Sequence, residues 1–124
     1  MLRVLVVDGA NVVGATPDGW WRDRAGAATK LHERLLLADT PYDEIVLVLE
    51  GKAKGGLPPG RDGHVRTVHA PRDGDSAILK ATVQAVEQGH QATVITADRA
   101  LRAQAEFAGA QVMSPSWLLD HLVS

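Results

Sequence analysis

Apolar residues in this chain fall into short dense runs, separated by longer stretches in which they recur every three or four positions. The first run, Leu2-Arg3-Val4-Leu5-Val6-Val7, is β-branched and nearly continuous, the pattern of a strand buried on both faces, and it stops at Asp8-Gly9-Ala10-Asn11. Val12 to Gly19 contains Gly14, Pro17, Asp18 and Gly19 and predicts a loop. From Trp20 to Ala38 the spacing turns helical, with Ala28, Leu31 and Leu35 inward and Arg22, Arg24, Lys30, Glu33 and Arg34 on the wetter side. Ile45 to Leu49 reads as a second buried strand, ending at Glu50-Gly51.

Lys52 to Gly63 is crowded with glycine and proline and carries Lys52, Lys54 and Arg61, which predicts a mobile basic loop. His64 to His69 alternates polar and apolar residues, as an edge strand with one wet face would. A turn at Pro71-Arg72-Asp73-Gly74 leads into a helix from Asp75 to about Gln88, with Ile78, Leu79, Thr82 and Val86 facing inward. Ala92 to Thr96 is a fourth strand, followed by Ala97-Asp98 and a helix from Arg99 to about Ala108. A short strand at Ala110 to Val112 and a helix from about Ser114, with Pro115 in its first turn, complete the alternation. The order βαββαβαβα predicts one α/β domain over residues 1–124, built on a parallel sheet of about five strands with right-handed connections.

Composition narrows this picture in two ways. Thirteen Lys and Arg against fifteen Asp and Glu give a net charge of −2, so no bulk positive field advertises nucleic acid or an anionic membrane, and local patches must carry any such claim. The absence of cysteine excludes disulfides, thiolate catalysis and cysteine-ligated zinc. The opening apolar run is too short for a signal-peptide core or a membrane span, and the expectation is a cytoplasmic protein with no membrane role.

The chemistry lies at the strand ends. In an open parallel sheet, ligands bind outside the carboxyl ends of the strands, where the strand order reverses. Asp8, Glu50 and Asp98 each lie within two residues of such an end, and Asp75, with Asp73 beside it, heads the middle helix. Two carboxylates about 4 Å apart repel by roughly 4 kcal/mol at an effective dielectric near 20, a conflict that a divalent cation removes. Oxygen ligands without cysteine or a histidine pair suit Mg²⁺ or Mn²⁺, ions that activate water and stabilise charge on a phosphodiester under attack. Asn11 is placed to orient a phosphate or a water.

Val6-Val7-Asp8-Gly9-Ala10-Asn11-Val12, the strand ending at Glu50, Gly74-Asp75-Ser76-Ala77-Ile78, and Val94-Ile95-Thr96-Ala97-Asp98-Arg99-Ala100-Leu101 followed by Gly109-Ala110 resemble the PIN-like nucleases. Within these, the chain is most similar to the NYN domains, and among them to the YacP-like group, whose members are typically ribonucleases or proposed ones. The resemblance implies a single three-layer PIN-like (Rossmann-like) α/β domain of strand order 3-2-1-4-5, a pocket for Mg²⁺ or Mn²⁺, and an RNA substrate, single-stranded or structured. It implies Asp8, Asp75 and Asp98 as metal ligands, Asn11 as the polar residue beside them, and Glu50 where many relatives carry aspartate. Ser76 stands where the NYN pattern often has a second acid, so a catalytically silent adapter that binds RNA or protein is the competing expectation. A homodimer or a protein partner is open on either reading.

Cations follow the strand ends or lead into the middle helix: Arg22, Arg24, Lys52, Lys54, Arg72 and Arg99. A ring of cations around an acidic hole is what a phosphate backbone requires. Trp20 and Trp21, adjacent on one element, cannot face the same way, so one packs and the other offers a surface on which a base can stack; Trp20 is the candidate for nucleic-acid binding. A phosphotransferase with Asp8 as nucleophile fits less well, because haloacid-dehalogenase-like enzymes usually carry a second Asp where this chain has Ala10. A topoisomerase-primase-like domain would use Asp73 and Asp75 but wants a glutamate in place of Asp8.

Overall fold

A computed structural model describes residues 1–16 and 18–122. The elements run β1 (Arg3–Asp8), α1 (Gly9–Gly14), α2 (Arg24–Leu37), β2 (Glu44–Leu49), β3 (Gly60–Asp62), β4 (Val65–His69), α3 (Gly74–Glu87), β5 (Gln91–Ile95), α4 (Arg99–Phe107), β6 (Gln111–Met113) and α5 (Pro115–His121). They build one six-stranded sheet of order β3-β4-β2-β1-β5-β6, parallel throughout except for the β3–β4 pair. Without β3 the order is that expected, 3-2-1-4-5.

The two faces of the sheet explain why β1, β2 and β5 read as continuous apolar runs. Alternate residues point opposite ways, and both sides are covered. Val4, Val6, Val46, Val48 and Val94 pack on one face with Ile78, Leu101 and Ala105 from α3 and α4. Leu5, Val7, Ile45, Leu47 and Ile95 pack on the other with Val12, Leu31, Leu35 and Leu118 from α1, α2 and α5. β1 lies at the centre, paired with β2 on one side and β5 on the other, with Asp8 opposite Val48 and Val7 opposite Ile95. The chain leaves β1 toward β2 and later returns to β1's other flank as β5, so the strand order reverses there and a crevice opens at these carboxyl ends.

Four sequence expectations are corrected. The segment after Asn11 is not a loop from the start: α1 occupies Gly9–Gly14, begun by the Asp8 side chain, which accepts the Asn11 amide N–H. Pro17, part of that predicted loop, lies outside the described residues. The helix from Trp20 is two pieces, a 3₁₀ turn at Trp20–Arg22 and then α2, because Asp23 accepts the Gly26 N–H and starts a new helix. The basic segment after Glu50 is a 3₁₀ helix over Gly51–Gly56 followed by β3, which pairs antiparallel with β4. β4 is therefore not the edge; β3 takes that place and makes six strands instead of five. Among the described residues no helix is long and apolar enough to cross a membrane.

Candidate active site at the carboxyl edge of the sheet

Asp8 is the most buried of the acids at this edge, 4% exposed at the end of the central strand. Its Oδ2 accepts from Asn11 Nδ2 at 2.6 Å and from the Thr96 hydroxyl at 2.9 Å, and its Oδ1 accepts from the Asn11 backbone N–H at 3.3 Å. Asn11 Oδ1 in turn accepts from the Ala97 N–H at 3.2 Å, and Thr96 Oγ1 accepts from the Asp98 N–H at 3.1 Å. The result is a closed network linking the ends of β1 and β5 and fixing the short segment that carries Asp98. Thr96, fully buried, is the residue that sequence reading missed. Its only local signal was a hydroxyl at a strand end two positions before an acid.

The same network gives Asn11 a structural role: its amide joins Asp8 to the Ala97 backbone, and the second Nδ2 hydrogen takes no part in these bonds. Asp98 is half-buried and caps α4 by accepting the Leu101 N–H at 2.9 Å. Capping and a place at the crevice are thus combined in one side chain.

Glu50 reaches across to the middle helix, where its Oε2 accepts the Gly74 N–H at 2.7 Å. An acid after β2 thereby anchors the start of α3, the helix that carries Asp75. Asp73 caps α3 through the Ser76 N–H at 2.8 Å and also accepts from the Ser76 hydroxyl at 3.3 Å. The serine found where a second acid is common therefore serves the cap.

Electrostatics show that these acids share one field. Asp75 is exposed at the head of α3; partial desolvation raises its carboxyl above its ordinary 3.8, and the charges of Asp98, Asp8, Asp73 and Glu50 raise it further. Burial also raises Asp8, against the lowering effect of the Thr96 and Asn11 hydrogen bonds, with Glu50 adding repulsion. Asp73 is held below the ordinary value, chiefly by the Ser76 amide. The donor set is carboxylate oxygen under mutual repulsion, which fits a hard divalent cation. Among the described residues no three His, Asp or Glu side chains already stand in chelating geometry.

The expected nucleic-acid residues divide into three kinds. Trp20 is half-buried and Trp21 is 58% exposed, their rings edge to face at 6.2 Å. Arg24 lies over Trp20 at 5.5 Å and Arg22 over Trp21 at 5.7 Å. Arg72, Lys52 and Arg99 are exposed. Lys54 is the exception: its ammonium donates to the Ala70 carbonyl at 2.7 Å, tying the 3₁₀ helix after β2 to the end of β4. Two cavities flank the acids. One of about 280 Å³ is lined by Gly9, Trp20, Arg24, Glu50 and Arg72 among others. A larger one of about 470 Å³ runs between β4 and α3 and is lined by Arg66, Arg72, Asp73 and Lys80 together with apolar residues; the Arg66 guanidinium pairs with Glu44 at 3.7 Å. Arg66 and Lys80 did not stand out in the sequence, because only the packing of α3 beside β4 brings them together.

Fold and edge together define a three-layer, Rossmann-like α/β domain with an acidic crevice where its strand order reverses. The same fold is seen in the crystal structure of Rae1 (YacP) from Bacillus subtilis, determined as its W164L mutant, with a TM-score of 0.76 and 21% sequence identity over 98% of this chain and 75% of that one. By sequence the chain matches no family profile and no curated protein.

Proposed function

We propose that the protein is a metal-dependent ribonuclease, hydrolysing RNA phosphodiester bonds at the acidic crevice with Mg²⁺ or Mn²⁺. The observation that carries this reading is the convergence of carboxylates at one edge: Asp8 ends the central strand, Glu50 follows β2, Asp75 heads α3 and Asp98 follows β5, close enough for the other three to raise the Asp75 carboxyl. Likeness of fold to Rae1 (YacP), the group that the sequence motifs resemble, supports the same class. Asp8, Asp75 and Asp98 would hold the ion. A bound divalent ion supplies a more acidic water and charge stabilisation at the phosphate.

The remaining residues prepare that site. Asn11 and Thr96 hold the Asp8 carboxylate in place, and Glu50 holds the head of α3 so that Asp75 stays at the crevice. Arg72, on the wall beside Glu50, offers positive charge to an RNA backbone. The competing reading, a catalytically silent domain binding RNA or a protein, draws on Ser76 and on the lack of a ready-made chelate among the described residues.

Calorimetric titration with Mn²⁺, combined with cleavage of single-stranded and structured RNA, separates the two. The nuclease reading expects Mn²⁺ binding and Mn²⁺-dependent cleavage, both lost in Asp8→Asn and Asp75→Asn. Cleavage that persists in both variants refutes it, and RNA binding without Mn²⁺ binding assigns the adapter role.

A further inference from the structure

The cavity of about 280 Å³ beside the acids has a composition unlike a phosphate track. Its floor is apolar, from Val13, Ala28 and Leu49, while Trp20 and Arg24 stand together on its wall and Glu50 and Arg72 lie toward the crevice. Trp20 is half-buried, and the Arg24 guanidinium lies over its ring at 5.5 Å from the centroid, so that indole and cation line the cavity as a pair. Glu50 is half-used: Oε2 accepts the Gly74 N–H, and among the described residues Oε1 has no partner. The cavity thus presents an aromatic face, a cation for the adjoining phosphate and one open acceptor. Its volume lies just under the range typical of drug-sized ligands, which suits one base better than a stretch of chain.

We infer that this cavity is a nucleobase subsite, taking one unstacked base of single-stranded RNA against Trp20 and Arg24, with Glu50 Oε1 accepting an N–H from the base's exocyclic amino group. The inference rests on the RNA-binding part of the function proposed above and adds a preference to it. Adenine, cytosine and guanine carry such an amino group, whereas uracil offers a carboxylate only its ring N3–H at a different position, so uridine is the base the subsite takes least well. Arg72 lies on the lining nearer the crevice, and a phosphate held there would connect the trapped base to the acids.

The test uses fluorescently labelled RNA 12-mers, oligo(A), oligo(U) and an abasic ribose-phosphate strand, with binding measured by anisotropy in EDTA so that metal and cleavage play no part. Oligo(A) is expected to bind most tightly and the abasic strand most weakly. Loss of one stacking contact in Trp20→Ala weakens oligo(A) binding by about 5- to 150-fold, and Trp20→Phe restores part of it. Tryptophan fluorescence supplies a second readout: quenching by oligo(A) survives Trp21→Phe and falls in Trp20→Phe. Equal affinity of wild type and Trp20→Ala, or equal binding of oligo(A) and the abasic strand, overturns the subsite while RNA binding stands. Failure of wild type to bind any strand overturns RNA binding itself and the subsite with it.

Discussion

Replacing Gly9 by alanine puts the packing at the crevice to a direct test. Gly9 is the first residue of α1, immediately after Asp8, and the helix there rests on the end of β2. A Cβ on Gly9 would lie 2.7 Å from the Val48 carbonyl oxygen and 3.1 Å from Leu49 Cδ2. The first neighbour is strand backbone, tied into the centre of the sheet, so α1 has to give way. Overpacking of this kind costs about 1 to 3 kcal/mol. In a domain of this size that corresponds to a fall in Tm of roughly 3 to 15 °C. Gly14, at the other end of the same helix, is the control. Its nearest neighbour is Trp20 Cζ2 at 3.7 Å, an ordinary contact, and its φ is not positive. Gly14→Ala should therefore be neutral or stabilising by up to about 1 kcal/mol, through lost freedom of the unfolded chain. Urea denaturation of the two variants, with the m-value checked for constancy, measures both. Gly9→Ala within about 0.5 kcal/mol of wild type, or Gly14→Ala falling as far as Gly9→Ala, would refute the claim that α1 is seated against β2 by close backbone approach.

Three further outcomes follow from the same geometry. Asp98→Asn keeps a good cap for α4 and should leave stability nearly unchanged while weakening Mn²⁺ binding; Asp98→Ala loses the cap as well, about 0.5 to 2 kcal/mol in denaturation. Glu50→Ala removes the charged acceptor of the Gly74 N–H and should cost on the order of 1.5 kcal/mol, with Glu50→Gln recovering much of it because an amide oxygen still accepts; equal losses in the two variants would count against the hydrogen bond. The pH dependence follows from Asp8 and Asp75, whose native carboxyls are raised above 3.8, so the native state holds those protons more tightly than the unfolded chain. Their contribution to stability is full below 3.8 and is lost as pH rises through the raised native values. Mn²⁺ relieves that loss only when the carboxyls are ionised, so the Mn²⁺-induced rise in Tm should be larger near neutral pH than near pH 4, and smaller in Asp8→Asn; a rise independent of pH would contradict the assignment.

Sequence by itself determined the elements whose causes are local. Apolar runs at β1, β2 and β5 are legible because both faces of those strands are buried, and α2, α3 and α4 because their apolar spacing is written within a few residues, although the Asp23 cap that starts α2 was not. It also placed acids at the strand ends. α1 escaped because six residues show too little periodicity to stand out beside glycines, and β3 because three exposed residues become a strand only by pairing with β4. What only the tertiary structure decided is how the polar groups are spent. Thr96 meets Asp8 across 88 positions of chain, Ala97 takes up the Asn11 amide across 86, and Gly74 takes up Glu50 across 24. No local pattern encodes such pairings, since they depend on which strand lies beside β1 and which helix end faces it. The aspartate at the end of β1 was therefore visible from the first line of the sequence, whereas the network that holds it became visible only when β5 was packed against it.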